Sequence, residues 1–260
     1  RTMQNIKNIG SIATVLMLFV SMIASAQNTS GTILYTEKIN LHMNLPIEME
    51  GFKDRIPEYR ESNHKLTFAD SKVLYEGVKN EKADEERAQR RGKGRRGGRG
   101  FGGGKNKGKR FVDLSTNSVI ATRDLMGKKF LVVGTPEKYK WKMTGKSKQV
   151  GSYLCQEATW QDSTTQIVAW FTPMIPVQAG PGDYTGLPGV ILHMNINDGE
   201  REITATDVQL GEVDTALLIA PTEGKEVSQE EWTKLRDEKM EEMKKEYGGK
   251  GGRMFHMRGR

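Results

Sequence analysis

Between residues 30 and 212 the apolar residues recur at every second position, in short runs broken by turn signals. Ile33, Tyr35, Ile39, Leu41 and Met43 set the pattern. Leu66 and Phe68, then Val73 and Tyr75, repeat it around Asp70-Ser71, a turn pair. Further β-like runs follow at Phe111 to Ala121, Lys129 to Val133, Lys138 to Met143, Tyr153 to Trp160, Gln166 to Phe171, Val190 to Ile196 and Glu202 to Leu210. A period of two puts alternate side chains on opposite faces, so each run has one face to bury. Gly134-Thr135-Pro136 and Asn197-Asp198-Gly199 punctuate the runs. No helical segments alternate with them, as a parallel sheet would require. The expected fold class is mainly β (α+β), an antiparallel and curved meander sheet. One helix is predicted over 226–247. Ser228 and Glu231 form a capping-box pattern, and Trp232, Leu235 and Met243 give a narrow apolar stripe to lay on the sheet.

The N-terminus is of another kind. Lys7 precedes an apolar stretch from Ile9 to Ile23, and Ala24-Ser25-Ala26 follows. This order of basic, apolar and small-residue regions is that of a signal peptide, cut after Ala26. The apolar run is shorter than the roughly 20 residues a spanning helix needs. The chain is therefore expected to be periplasmic or secreted, and not transmembrane after cleavage. Cys155 stands alone, so no internal disulfide can form, and a buried strand position suits it.

The net charge of +7 belongs to one segment. Arg87 to Arg110 holds eleven basic residues and nine glycines, and removing those eleven leaves the rest of the chain at −4. The stretch 80–110 cannot bury a core and reads as a disordered insert. Arg90, Arg91, Arg95, Arg96 and Arg99 are its candidate polyanion-binding residues. Export removes nucleic acid as a partner and leaves anionic lipid or glycan. The expected organisation is a signal peptide at 1–26, a single β domain at 27–225 interrupted by the insert, the helix, and a basic flexible tail at 248–260.

Four of the eight prolines fall between 173 and 188. They fix φ and bias their predecessors toward extended shapes, so the segment is a rigid loop between two strands. Pro188-Gly189 has the composition of a type II turn. Trp170, Phe171, Tyr184, Leu187 and Pro188 are the candidate ligand-binding residues here, and covering the end of a core is the other use of such aromatics. Ala169-Trp170-Phe171-Thr172-Pro173, followed by Gly186-Leu187-Pro188-Gly189-Val190-Ile191, closely resembles the motif that names the GLPGLI family. Val190 stands where that motif has Leu. The family consists of exported proteins, mostly from Bacteroidota, with no established activity. The resemblance implies work in the envelope, beside TonB-dependent outer-membrane receptors. The strand pattern is also similar to the half-barrels of periplasmic lipoprotein carriers, in which a curved sheet wraps an apolar concavity.

Familiar chemical motifs are thin. Gly145-Lys146-Ser147 lacks the earlier glycine of a phosphate loop, and Gly98-x-Gly100-x-x-Gly103 follows no strand. His42-Met43, His193-Met194 and His256-Met257 combine imidazole with thioether, which suits Cu(I). On a strand, however, neighbours point apart, and Met43 and Met194 are expected to face the core. Asp183 reads as a turn contact or a polar site residue. No catalytic residue, metal or cofactor is expected. The leading expectation is a non-enzymatic binding or accessory protein for a hydrophobic envelope ligand or an outer-membrane receptor. The alternatives are a structural or adhesive protein acting through its basic arm, and a metal-handling protein.

Overall fold

A computed structural model describes residues 29–43, 45, 47–78 and 108–248. The segment predicted as a signal peptide, most of the Gly/Arg insert and the tail from 249 lie outside the described residues. The alternating runs fold into twelve strands of one open sheet. In chain order they are β1 (Gly31–Asn40), β2 (Tyr59–Ala69), β3 (Lys72–Val78), β4 (Arg110–Asp113), β5 (Ser118–Leu125) and β6 (Lys128–Gly134). Then come β7 (Lys142–Val150), β8 (Tyr153–Gln161), β9 (Gln166–Thr172), β10 (Val190–Ile196), β11 (Arg201–Leu210) and β12 (Lys225–Ser228), before helix α1 (Gln229–Gly248). The spatial order is β12-β6-β5-β4-β3-β2-β1-β11-β10-β9-β8-β7. Two antiparallel meanders, β1–β6 and β7–β11, are thus joined where β1 pairs with β11. One pair departs from the antiparallel expectation. β12 runs parallel to β6, because the chain crosses from β11 to the far edge before α1 begins.

Local chemistry sets several boundaries differently from the apolar pattern. The run at 111–121 is a hairpin of two strands. Asp113 Oδ1 accepts from the backbone N–H groups of Ser115 and Thr116, which turns the chain at 114–117. β7 starts at Lys142 rather than Lys138 and runs on through polar residues to Val150. Gly145-Lys146-Ser147 lies within its irregular stretch between Met143 and Ser147. β1 stops at Asn40, so Leu41 and Met43 sit in a turn, and Met43 is exposed rather than facing the core. Met194 is fully buried. The capping box forms: Glu231 N donates to Ser228 Oγ at 3.1 Å, and Ser228 N donates to Glu231 Oε2 at 2.8 Å. Trp232 then packs on Phe130 of β6, ring centroids 5.5 Å apart.

Register defines an inner face. Ile33, Tyr35 and Glu37 of β1 pair with Leu66, His64 and Ser62 of β2. Leu66 pairs with Tyr75, Tyr75 with Arg110, and Arg110 with Ala121. One core cluster gathers residues from Val119 on β5 round to Ala158 on β8. In a flat sheet those strands would stand tens of ångströms apart, since neighbours are spaced about 4.8 Å. The sheet is therefore curled around its apolar fill.

Part of that fill is the loop at 173–189. Ile175, Val177, Ala179 and Leu187 are buried. Val177 N bonds to Ile175 O and Ala179 N to Val177 O, a ribbon of three-residue turns that sends alternate side chains inward. Val190 N and Ile191 N bond to Ile175 O and Ala179 O, so the start of β10 pairs with the loop rather than with β11. Pro188-Gly189 is consequently not a type II turn. Gly189 N closes on Leu187 O at 2.8 Å, and Val190 N, which a type II turn would direct to Leu187, is taken by Ile175. A Cβ on Gly189 would lie 2.1 Å from Thr172 O, so this position requires glycine by close backbone approach.

Candidate functional site

The loop at 173–189 acts as a plug: its apolar side chains share the core cluster with Ile33 and Tyr35 of β1, and Tyr35 Oη donates to Ile191 O at 2.7 Å. Toward the end of β1 the inner face turns polar. Glu37 takes the inward slot after Ile33 and Tyr35 and is only 6% exposed. A carboxylate so buried must be paired to stay charged. Arg201 Nε of β11 bonds Glu37 Oε1. On β2, His64 Nε2 lies 2.9 Å and Ser62 Oγ 3.1 Å from Glu37 Oε2. Burial alone would raise the carboxyl pKa, but the bond from His64 and the charge of Arg201 outweigh it and hold Glu37 at about 2.

Ser62, His64 and Glu37 do not form a nucleophile relay. Such a relay places the hydroxyl and the carboxylate on different ring nitrogens. Here Ser62 Oγ, 3.1 Å away, and Glu37 share Nε2. His64 Nδ1 is buried and finds no hydrogen-bond partner among the described residues. The imidazole stacks on Tyr75, centroids 5.1 Å apart and planes 6° from parallel. Burial and the nearby Glu37 charge push the Tyr75 phenol well above its usual range.

The tip of the proline-rich loop reaches this end of the face. Asp183 Oδ1 lies 2.6 Å from Arg110 Nε of β4, and Asp183 Oδ2 2.9 Å from Arg123 Nη2 of β5. Trp141 Nε1 donates to Thr185 O at 2.9 Å and ties the loop down on its other side. Tyr139 lies 5.3–5.4 Å from Trp141, Trp160 and Tyr184, a patch of four half-buried rings. Its hydroxyl donates to Glu137 at 3.0 Å. The phenol of Tyr184, raised by burial, also feels the charges of Arg201, Asp183, Glu137 and Glu37. Asp183 and Tyr184 thus join the polar floor to the ring patch, and this junction is the candidate recess. Under the loop, between Leu66, Val73, Tyr75, Arg110, Gln178 and Thr185, a narrow crevice of about 10 Å³ has room for about one water.

The five loop candidates do not form one wall. Trp170 and Phe171 are neighbours on β9 and point to opposite faces. Phe171 and Leu187 are core, and Pro188 is exposed. Trp170, on the face of β9 opposite Phe171, is buried as well and belongs to the same core cluster, with Lys148 Nζ 4.3 Å from its ring centroid. His193 is on that side too, 2.9 Å from Thr204 Oγ1, away from buried Met194. His42 Nε2 is 2.8 Å from Ile56 O. Tyr184 alone of the five joins the recess, together with Asp183. Arg90, Arg91, Arg95, Arg96, Arg99 and His256-Met257 lie outside the described residues. Glu37, Ser62, His64 and Arg201 carried no motif. Their signal was a charged residue in an inward slot, Glu37, and polar residues two apart on β2.

Comparison with known proteins matches this geometry to a short stretch and to a fold. The family described as "Protein of unknown function (Porph_ging)" matches residues 161–193, which hold β9, the proline-rich loop and the first half of β10. No curated protein matches the chain in sequence. PNGF-II in its C2 crystal form is similar over 79% of this chain and 32% of that one, at 13% identity and a TM-score of 0.51. In the P21 form the figures are 80%, 33%, 14% and 0.49. The chain spans about a third of the length of PNGF-II. At this identity the likeness shows a shared β-rich fold.

Proposed function

We propose that this chain is an exported envelope protein that binds a ligand in the inner-face recess and does not transform it. The observation that carries it is the position of Tyr184, which the tethered loop sets against the half-buried ring of Tyr139 and within reach of the charges of Arg201 and Glu37. Binding sites join aromatic walls to a few fixed polar groups in this way. The sharing of His64 Nε2 by Ser62 and Glu37 favours binding over nucleophilic chemistry. The leader at 1–26 supports export. The hexapeptide Gly186–Ile191 supports a place among GLPGLI proteins, and with it an outer-membrane receptor as partner. In structural terms the hexapeptide is a plug-and-return device: Leu187 enters the core, Gly189 passes against Thr172, and Val190 starts a core strand.

Native mass spectrometry of residues 27–260 purified from the periplasm tests this function. The expected result is a bound species that leaves on unfolding and is depleted in Tyr184→Ala. A bare protein, or a bound species indifferent to that change, would refute the recess as the site.

A further inference from the structure

We infer that the free edge of β7 is a docking site for an extended acidic segment of a partner protein, which adds to the sheet as one more strand. The inference goes beyond the binding function proposed above, because this surface is not the recess. β7 ends the sheet order, so among the described residues no strand lies along its other edge. It is nine residues long, and Lys142 to Ser147 are all exposed. The opposite end of the sheet offers less: β12 has four residues and runs straight into α1. An unpaired edge presents a row of backbone N–H and C=O groups at the spacing of a further strand.

The chemistry of this edge selects its occupant. Lys138, Lys140, Lys142, Lys146 and Lys148 follow one another, and no acid lies between Glu137 and Glu157. Lys146 Nζ reaches Glu157 at 3.4 Å. The other four make no ion pair among the described residues, and Lys148 Nζ lies over the Trp170 ring instead. Register puts the charges of β7 on one face. Lys142 stands opposite Thr159 and Lys148 opposite Cys155, and Lys146 reaches Glu157 on that same face. The other face is apolar at the edge. Met143, opposite Ala158, is 53% exposed, and Leu154, on the Ala158 side of β8, is 60% exposed.

A second copy of the chain does not fit this edge. Pairing β7 with β7 would set lysine against lysine, and like charges across a ladder destabilise it. Edge lysines prevent self-pairing in this way. The same row attracts a strand with Asp or Glu at every second position and apolar residues between. Its acids then meet the lysines while its apolar side chains cover Met143 and Leu154. The irregular stretch between Met143 and Ser147 bends the edge and limits the partner to a short segment. A lipid surface would use the lysines alone and leave the backbone groups of the edge unpaired.

The test uses residues 27–260 and fluorescein-labelled heptapeptides, read by anisotropy and by amide hydrogen exchange. The probes are Glu-Val-Glu-Val-Glu-Val-Glu, a scrambled form of the same composition, and a form methylated at every internal backbone nitrogen. The scrambled form measures the plain attraction of the basic insert and tail. The alternating peptide should bind about tenfold or more tighter than either control, lose affinity with salt, and slow exchange across 142–150. Lys140→Glu with Lys142→Glu, both exposed and free of ion pairs among the described residues, should weaken it about tenfold. Tyr184→Ala, the recess variant, should leave it within about twofold. Equal binding of the three peptides would assign the attraction to charge alone and overturn strand addition. Exchange across 142–150 that slows with protein concentration alone would make a second copy the occupant and overturn the acidic segment. Slowing by phosphatidylglycerol vesicles but not by the peptide would make the occupant a lipid surface, with the same consequence. Peptide binding lost in Tyr184→Ala would move the site to the recess. Binding of no peptide would overturn the inference and leave the proposed recess function untouched.

Discussion

Arg110 Nε lies 2.6 Å from Asp183 Oδ1, and this contact ties the tip of the loop between β9 and β10 to a strand five places away in the sheet. Only 9% of the Arg110 side chain is exposed, against 42% for Asp183. The exposed partner therefore neutralises the buried one. Asp183→Ala should leave Arg110 charged and buried without it, at a cost of about 2 kcal/mol, below the range for fully buried pairs because Asp183 is half solvated. The urea midpoint should fall with an unchanged slope. Trp141 emission should shift to the red as Thr185 O moves off its indole N–H. A wild-type midpoint and spectrum would show that the loop is held by its plug alone.

The plug makes a separate demand on Gly189. A Cβ there meets Thr172 O at 2.1 Å and Pro173 Cα at 3.0 Å, whereas one on Gly182, at φ +65°, meets nothing within 4 Å. Gly189→Ala should cost at least about 2 kcal/mol, and Gly182→Ala about 1 kcal/mol from backbone strain alone. Thermal unfolding of both variants checks the ranking. Equal losses would mean that backbone conformation, not close approach, accounts for the glycine.

What the sequence disclosed and withheld follows from the range of the forces. The strands of the sheet were legible from the period of two, because burial of one face is written locally at Ile33, Leu66 or Met194. The helix start was legible because its cap is contained in four residues, Ser228 to Glu231. The parallel seat of β12 on β6 was not, since Lys225–Ser228 has no run of its own and takes its register from Phe130 to Val133. The recess was hidden for the same reason. Glu37 reads as a break in an apolar alternation until Ser62, His64 and Arg201 arrive from two other strands. Trp170 and Phe171 misled in the opposite sense, because adjacency in sequence separates side chains on a strand.

Glu37 should govern acid stability. Its carboxyl is held at about 2 against an ordinary value of 4.5. A depressed carboxylate stabilises the fold fully above the unfolded value, and that contribution is lost as pH falls from about 4.5 through 2. A shift of this size corresponds to about 3 kcal/mol at most. Glu37→Gln should be less stable at pH 7, and its urea midpoint should change less than that of the wild type between about pH 7 and pH 3. Parallel pH profiles in the two proteins would assign the acid sensitivity to other groups.

Cys155 should be inert in the folded chain. It is fully buried, and burial pushes its thiol up to about 11 despite the opposing pull of Lys148. The thiolate is the reactive form, so both access and ionisation protect it. Ellman's reagent at about pH 8 should titrate no thiol in native protein and one in urea, where the pKa returns toward its ordinary value of about 8.5. Rapid native labelling would mean that β8 opens far more readily than its burial allows.

The basic insert can be separated from the fold, and this decides whether its arginines act on polyanions. Lys72 to Tyr75 of β3 pair antiparallel with Asp113 to Arg110 of β4, so the two strands need only a short link. The excision must stop at 107: Gly108 lies against Thr122, where a Cβ would meet Thr122 O at 2.4 Å, and Arg110 is buried. Replacing 80–107 by a short Gly/Ser link should leave the far-ultraviolet spectrum unchanged and the melting temperature equal or slightly higher, since closing a shorter loop costs less entropy. The full chain should bind vesicles of anionic phosphatidylglycerol, and the binding should fade with salt as screening grows. The shortened chain should lose that binding while keeping its ligand in the recess. Undiminished vesicle binding by the shortened chain would remove Arg90, Arg91, Arg95, Arg96 and Arg99 from any role with polyanions and move that role to the basic tail at 248–260 or to the folded sheet.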